Sequence, residues 1–223
     1  MEINYAKRIA YAHTLTPEQI EEILLAIPHE RYRAVLELCF LTMSRISEVC
    51  LVRTQDIRPW KFRRRAGYLL ILGTLKRQGA AKIVPLVKEP MFSRIYEDVQ
   101  AYLDRYIPKG TPDKQSVWLF GDPGLRWVRR KRTIRCRKKE VCERDNLLRK
   151  RIWRYCDKHH LILTPHLWRH ARSAICQWTY RMTEQERQSL GNWKRRESMA
   201  SYERFGNPYE LAVALSRRET YAA

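Results

Sequence analysis

His166, Arg169 and Tyr202 are three residues whose types can act together on a phosphodiester. His166 and Arg169 share the pentapeptide HLWRH, and Tyr202 follows His166 by 36 positions, near the end of LGNWKRRESMASYERF. Arg45, in SRISEVCLVRTQDI, adds a second guanidinium from far upstream. Breaking a phosphodiester without water needs an in-line nucleophile, cations for the charge that gathers on the non-bridging oxygens, and a proton for the leaving 5′-oxygen. Arginine meets the second need because its planar fork bonds two phosphate oxygens at once and stays charged. A tyrosine phenol becomes nucleophilic once it is deprotonated or hydrogen-bonded beside cations. A lysine whose pKa is depressed by neighbouring cations can protonate the leaving group. Such a reaction keeps the bond energy in a phosphotyrosyl link and needs no metal or other cofactor.

Taken singly, each of these residues has an ordinary structural explanation. Arg45 pairs with Glu48 three positions on, as helix-surface ions do. His166 suits the start of a helix, Trp193 a core position, Lys76 a solvated turn, and Tyr202 a helix face beside Met199 and Phe205. Their common order along the chain is what argues for a site.

Charge indicates what that site would meet. The chain carries a net +20 over 223 residues, with 7 tryptophans and 12 tyrosines interleaved among the basic residues. Such an excess in a folded domain attracts polyanions, nucleic acid above all. Membrane is the weaker rival: no basic amphipathic helix with a broad apolar face stands out. No apolar run approaches the roughly 20 residues of a membrane span, and the first residues lack the apolar core of a signal peptide. The expected location is therefore inside the cell, cytoplasmic and nucleoid-associated, or inside a host cell for an element carried by a virus or plasmid. The densest charge lies in 126–151, where Arg129, Arg130, Lys131, Arg132, Arg135, Lys138 and Lys139 are candidate phosphate contacts, together with Arg77. Such runs are usually solvated connectors; here the run leads into a helical pattern over 145–159 and reads as lying along a phosphate backbone.

The six cysteines do not form a metal framework. Cys39, Cys50 and Cys176 lie in apolar helical patterns, and Cys136 and Cys142 lack C-x-x-C spacing. Cys156 with His159 and His160 could complete a site with that pair, but reduced structural thiols are the better reading.

The elements that must position these residues are mostly helical. Thr16-Pro17-Glu18-Gln19 combines an N-cap, a proline in the first turn and a capping box. An apolar stripe of Ile20, Ile23, Leu24 and Ile27 follows it, up to Pro28. Further helices are expected over 31–41, 44–52 and 89–106. Strands are expected over 68–73 and 81–86, joined as a hairpin through the turn that carries Lys76. A short buried strand is expected at 117–120, then helices at about 165–180, 184–190 (with a capping box from Thr183 to Glu186 and Gly191 as its stop), 196–204 and 209–217. The fold class is mainly α with a small antiparallel β-sheet (α+β). With no Gly/Ser linker, the whole of 1–223 reads as one catalytic domain. Residues 1–14 are expected to form an N-terminal extension, with no separate N-terminal domain expected before the first helix.

These residues resemble the tyrosine recombinase (phage integrase) family. TMSRISEVCLVRTQDI resembles its first-arginine helix, TPHLWRHARSA its His-x-x-Arg-His box, and LGNWKRRESMASYERF the glycine turn that leads to the nucleophile. The likeness covers about 15–205, and its strength lies in the ordered set of short boxes. It implies that Arg45 and Arg169 clamp the scissile phosphate and that His166 bonds a phosphate oxygen or the tyrosine. It further implies Lys76, in the hairpin turn LKRQGAAK, as general acid, with Lys82 as the alternative although it suits the strand better. Tyr202 would form a 3′-phosphotyrosyl link, with Glu48 as a support and His170 as an accessory. The remaining catalytic position, usually His or Trp, falls on Trp193 by distance from the tyrosine, with Asn192 as its rival. In TMSR, Met43 or Ser44 stands where the family usually has glycine. The implied activity is site-specific recombination of double-stranded DNA, as in the integration of mobile elements, by a homo-tetramer on two DNA sites. The tail, 207–223, would dock on a neighbouring protomer or fold back on its own core. A type IB topoisomerase or telomere resolvase would share the chemistry, and a non-catalytic DNA-binding protein would share the scaffold alone.

Overall fold

The computed structural model describes residues 5–62, 65–73, 81–106, 118–120, 148–191, 193 and 199. Lys76, Arg77, the basic run from Arg129 to Lys139, Asn192, Tyr202 and the tail lie outside them. So do the helices expected over 196–204 (apart from Met199, which is helical) and 209–217. What is described is mainly helical with one three-stranded antiparallel sheet.

Four helices come first: α1 (Tyr5–Thr14), α2 (Pro17–Leu25), α3 (Glu30–Leu41) and the short α4 (Ile46–Cys50). The start of α2 is the expected one: Thr16 Oγ1 accepts from Gln19 N–H at 3.3 Å, and Gln19 Oε1 accepts from Thr16 N–H at 3.0 Å. Helix α3 is the centre of the molecule. Every residue from Ala34 to Leu41 is buried, because α2, α4 and two later helices, Ser93–Tyr106 and Pro165–Ala174, pack around it. Glu37 is fully buried in this helix, and loss of water, then Asp98, push its carboxyl up to about 9. It is therefore neutral at physiological pH, which is how a buried carboxyl avoids the cost of an unsolvated charge.

The sheet comprises β1 (Ile57–Phe62), β2 (Arg65–Gly73) and β3 (Ala81–Val87), with β2 in the middle. Strand β1 was not legible in IRPWKF, where Pro59 and two cations break the β pattern. The structure makes it an edge strand with Pro59 opposite Tyr68, and Pro85 sits on the other edge opposite Leu69. Proline cannot donate to a ladder, so both outer strands tolerate it and neither suits a fourth neighbour.

Helix α5 (Ser93–Tyr106) follows a single 3₁₀ turn at Pro90–Phe92. Trp118 makes an isolated bridge to Arg53 in place of the strand expected at 117–120. Residues 148–158 form α6, then come α7 (Pro165–Ala174) and α8 (Glu184–Gly191). Helix α7 runs into a π turn at Ile175–Thr179. The Thr183–Glu186 box caps α8, with Thr183 N–H donating to Glu186 Oε2 at 2.7 Å, and the helix includes Gly191. The expected 44–52 helix is shorter, since Arg45 is its N-cap and Leu51 its C-cap. No helix among the described residues is long and apolar enough to cross a membrane. Cys39, Cys50, Cys156 and Cys176 are buried free thiols, and no group of metal ligands occurs among the described residues.

Candidate active site

Three elements converge beside the C-terminal end of α3. The turn from α3 to α4 brings Arg45, β3 brings Lys82, and α7 brings His166, Arg169 and His170. Behind them, the end of α8 brings Gly191 and Trp193.

Arg45 sits at the N-cap of α4, where Glu48 holds it twice. One carboxylate oxygen accepts from the Arg45 backbone N–H at 2.9 Å and the other from its guanidinium at 3.0 Å. Glu48 is buried and the arginine side chain is about one-third exposed, so the pair fixes a cation that still faces solvent. The ion pair expected of an ordinary surface arginine is present, and it also orients the guanidinium.

Arg169 is the deepest charge of the group, only 1 % exposed. Its Nη2 donates to Gly191 O at 2.6 Å, and its guanidinium lies 5.0 Å from the centre of the Trp193 ring. Trp193 is tied to α8 by its own N–H, which donates to Gln188 O at 3.0 Å. Its buried ring thus supports Arg169. The fit also dictates glycine at 191, because a Cβ there would come within 2.5 Å of the Trp193 ring. Gly191→Ala is therefore expected to displace Trp193 and shift Arg169. A displacement near 1 Å would lower the rate of a reaction positioned here by about 10²-fold, and the displacement itself is measurable as a change in the near-ultraviolet circular dichroism of the tryptophans.

Lys82 shows that the strand alternation extends to a charged residue. On β3 the buried positions are Lys82, Val84 and Leu86, and Lys82 as a residue is only 5 % exposed. Its Nζ donates to Thr42 O at 2.6 Å and to Ser44 Oγ at 3.1 Å, which fastens it to the turn before Arg45. Burial first, then the charges of Arg169 and Arg45, lower its pKa to about 7, although Glu48 pulls the other way. His166 is exposed, and its pKa is also lowered, first by partial desolvation and then by Arg169 and Arg45. Both arginines thus act electrostatically on both residues.

The histidine behind His166 has a partner that the sequence did not announce. The His170 ring meets the His166 ring edge-on at 4.9 Å, and His170 Nδ1 lies 3.4 Å from His13 Nε2 of α1. Helix α1, read from sequence as an extension, packs along α7 and buries His13 there. Burial pushes His13 down to about 4; burial, then His166, His13 and Arg169, push His170 down to about 3. For a histidine depressed from 6.5, stability is full above that pH and is lost as pH falls toward the folded pKa. Wild type should therefore lose about 1.4 kcal/mol per pH unit relative to His13→Gln between pH 6 and 5, read from urea unfolding midpoints. Equal slopes for the two proteins would show that His13 is not held neutral.

Comparison of the chain with protein-family models, with curated proteins and with solved structures found no match.

Proposed function

We propose that the chain is the catalytic domain of a tyrosine recombinase, which cleaves and rejoins double-stranded DNA through a 3′-phosphotyrosyl link to Tyr202. The observation that carries this reading is the convergence of Arg45 and Arg169, from separate helices, on His166 and Lys82. Two guanidiniums held by buried partners, Glu48 for one and Gly191 and Trp193 for the other, are a preorganised receptor for one phosphate.

In the reaction, the Tyr202 phenolic oxygen attacks phosphorus and the bond to the 5′-oxygen breaks. Neutral His166 accepts the phenolic proton, and Lys76 gives its proton to the leaving oxygen. Attack by the 5′-hydroxyl of another strand then forms the new phosphodiester and releases the tyrosine. A homo-tetramer on two DNA sites is the assembly this exchange requires, with the basic run from Arg129 to Lys139 and Arg77 supplying grip on the backbone.

The test uses two duplexes of different length, each carrying the DNA that flanks the coding sequence. Joint molecules of hybrid length are the expected result. Relaxation of supercoils without joining would point to a topoisomerase. Salt-sensitive binding with neither outcome would leave only a DNA-binding scaffold.

A further inference from the structure

Helix α3 ends in a turn that normally belongs to glycine. Ser44 N–H donates to Cys39 O at 3.2 Å and Met43 N–H to Phe40 O at 3.1 Å, the paired bonds of a Schellman motif. The residue at the left-handed position of that motif is Met43, with φ of 49°. A side chain there is disfavoured by the clash of its Cβ with the backbone, which is why glycine dominates. The other described non-glycine residues with positive φ, His160 and Arg181, are exposed, whereas Met43 is completely buried.

The Met43 side chain has a specific destination. It forms a small cluster with Cys176, Trp193 and Met199, separate from the main core. On one side, then, Met43 lies in the turn that sets Arg45, with its flanking Thr42 O and Ser44 Oγ held by Lys82. On the other, it shares a cluster with Trp193, the ring that lies against the Arg169 guanidinium.

We propose that Met43 is a positioning residue: its side chain couples the Arg45 turn to Trp193, which backs Arg169, so that the two arginines of the phosphate clamp keep one register. Methionine is well suited to this because its unbranched, polarisable chain fills an irregular gap between a tryptophan and another methionine. Its side chain offsets the backbone conformation that it strains. The catalytic part of this inference rests on the tyrosine-cleavage reading; the packing part does not.

The test compares Met43→Gly and Met43→Leu with wild type. Glycine relaxes the turn and removes the coupling, whereas leucine keeps an apolar side chain with the same strain. Met43→Gly is expected to bind DNA within about two-fold of wild type and to form the covalent adduct at least ten-fold more slowly. Met43→Leu should recover most of that rate. Hydrogen exchange should show protection lost at the Trp193 backbone N–H, which is bonded to Gln188 O, in Met43→Gly and retained in Met43→Leu. Unchanged exchange at Trp193 in Met43→Gly, or a wild-type adduct rate in it, would overturn the coupling. A wild-type protein that forms no adduct would overturn the cleavage reading instead, and the exchange data would still decide the coupling.

Discussion

Arg169→Lys is expected to slow covalent adduct formation by about 10³-fold or more, within the range that a transition-state arginine contributes to phosphoryl transfer. The substitution keeps the charge and loses the fork. Lysine is a compact point charge on a flexible stem and cannot bond two oxygens in a plane. At this position it would also give up the 2.6 Å bond to Gly191 O and the stacking over Trp193 that hold the guanidinium in place. DNA affinity should fall much less, because non-specific grip depends on the total number of cations. The measurement is single-turnover trapping at saturating protein, with thermal unfolding to show that the fold survives. A rate within ten-fold of wild type would remove Arg169 from the clamp.

The second large effect separates two lysines. Lys76→Ala is expected to slow cleavage by about 10²- to 10⁴-fold, the usual contribution of a general acid. A DNA substrate with a bridging 5′-sulfur at the scissile position should restore its rate, since a thiolate leaves without a proton. Lys82→Met should be slow on both substrates. Its ammonium is engaged by Thr42 O and Ser44 Oγ, so its loss releases the turn that sets Arg45 and does not remove a proton donor. Rescue of Lys82→Met by the sulfur substrate, with none for Lys76→Ala, would exchange the two roles. The pKa of about 7 suits Lys82 to that alternative, which is why the experiment includes both residues.

Much of this arrangement was legible because local signals agreed with the tertiary result. The box at Thr16, the stripe of Ile20 and Leu24, the hairpin strands and the box at Thr183 each state their own geometry. Arg45, His166, Arg169 and Trp193 stood out by residue type and order, and of the two arginine contacts only the one to Glu48, three positions on, follows from short-range spacing; the one from Arg169 to Gly191 spans 22 positions. What sequence did not reveal depends on contacts far along the chain. Strand β1 exists because β2 offers an edge that accepts Pro59. His13 matters only because α1 lies on α7, 157 positions away from His170 in sequence. Lys82 was legible as a strand residue, and the alternation of Lys82, Val84 and Leu86 was the available sign that it points inward. Met43 was noticed as a missing glycine, and the structure places the left-handed residue there and not at Ser44.

The central claim is that Tyr202 attacks DNA, and covalent trapping tests it most directly. The protein is incubated in EDTA with supercoiled DNA carrying its flanking sequence, quenched with SDS, and compared with Tyr202→Phe. The account predicts a protease-sensitive protein–DNA adduct in wild type that is absent from the variant. An adduct that persists in Tyr202→Phe, or none in either protein while both bind DNA, would contradict it.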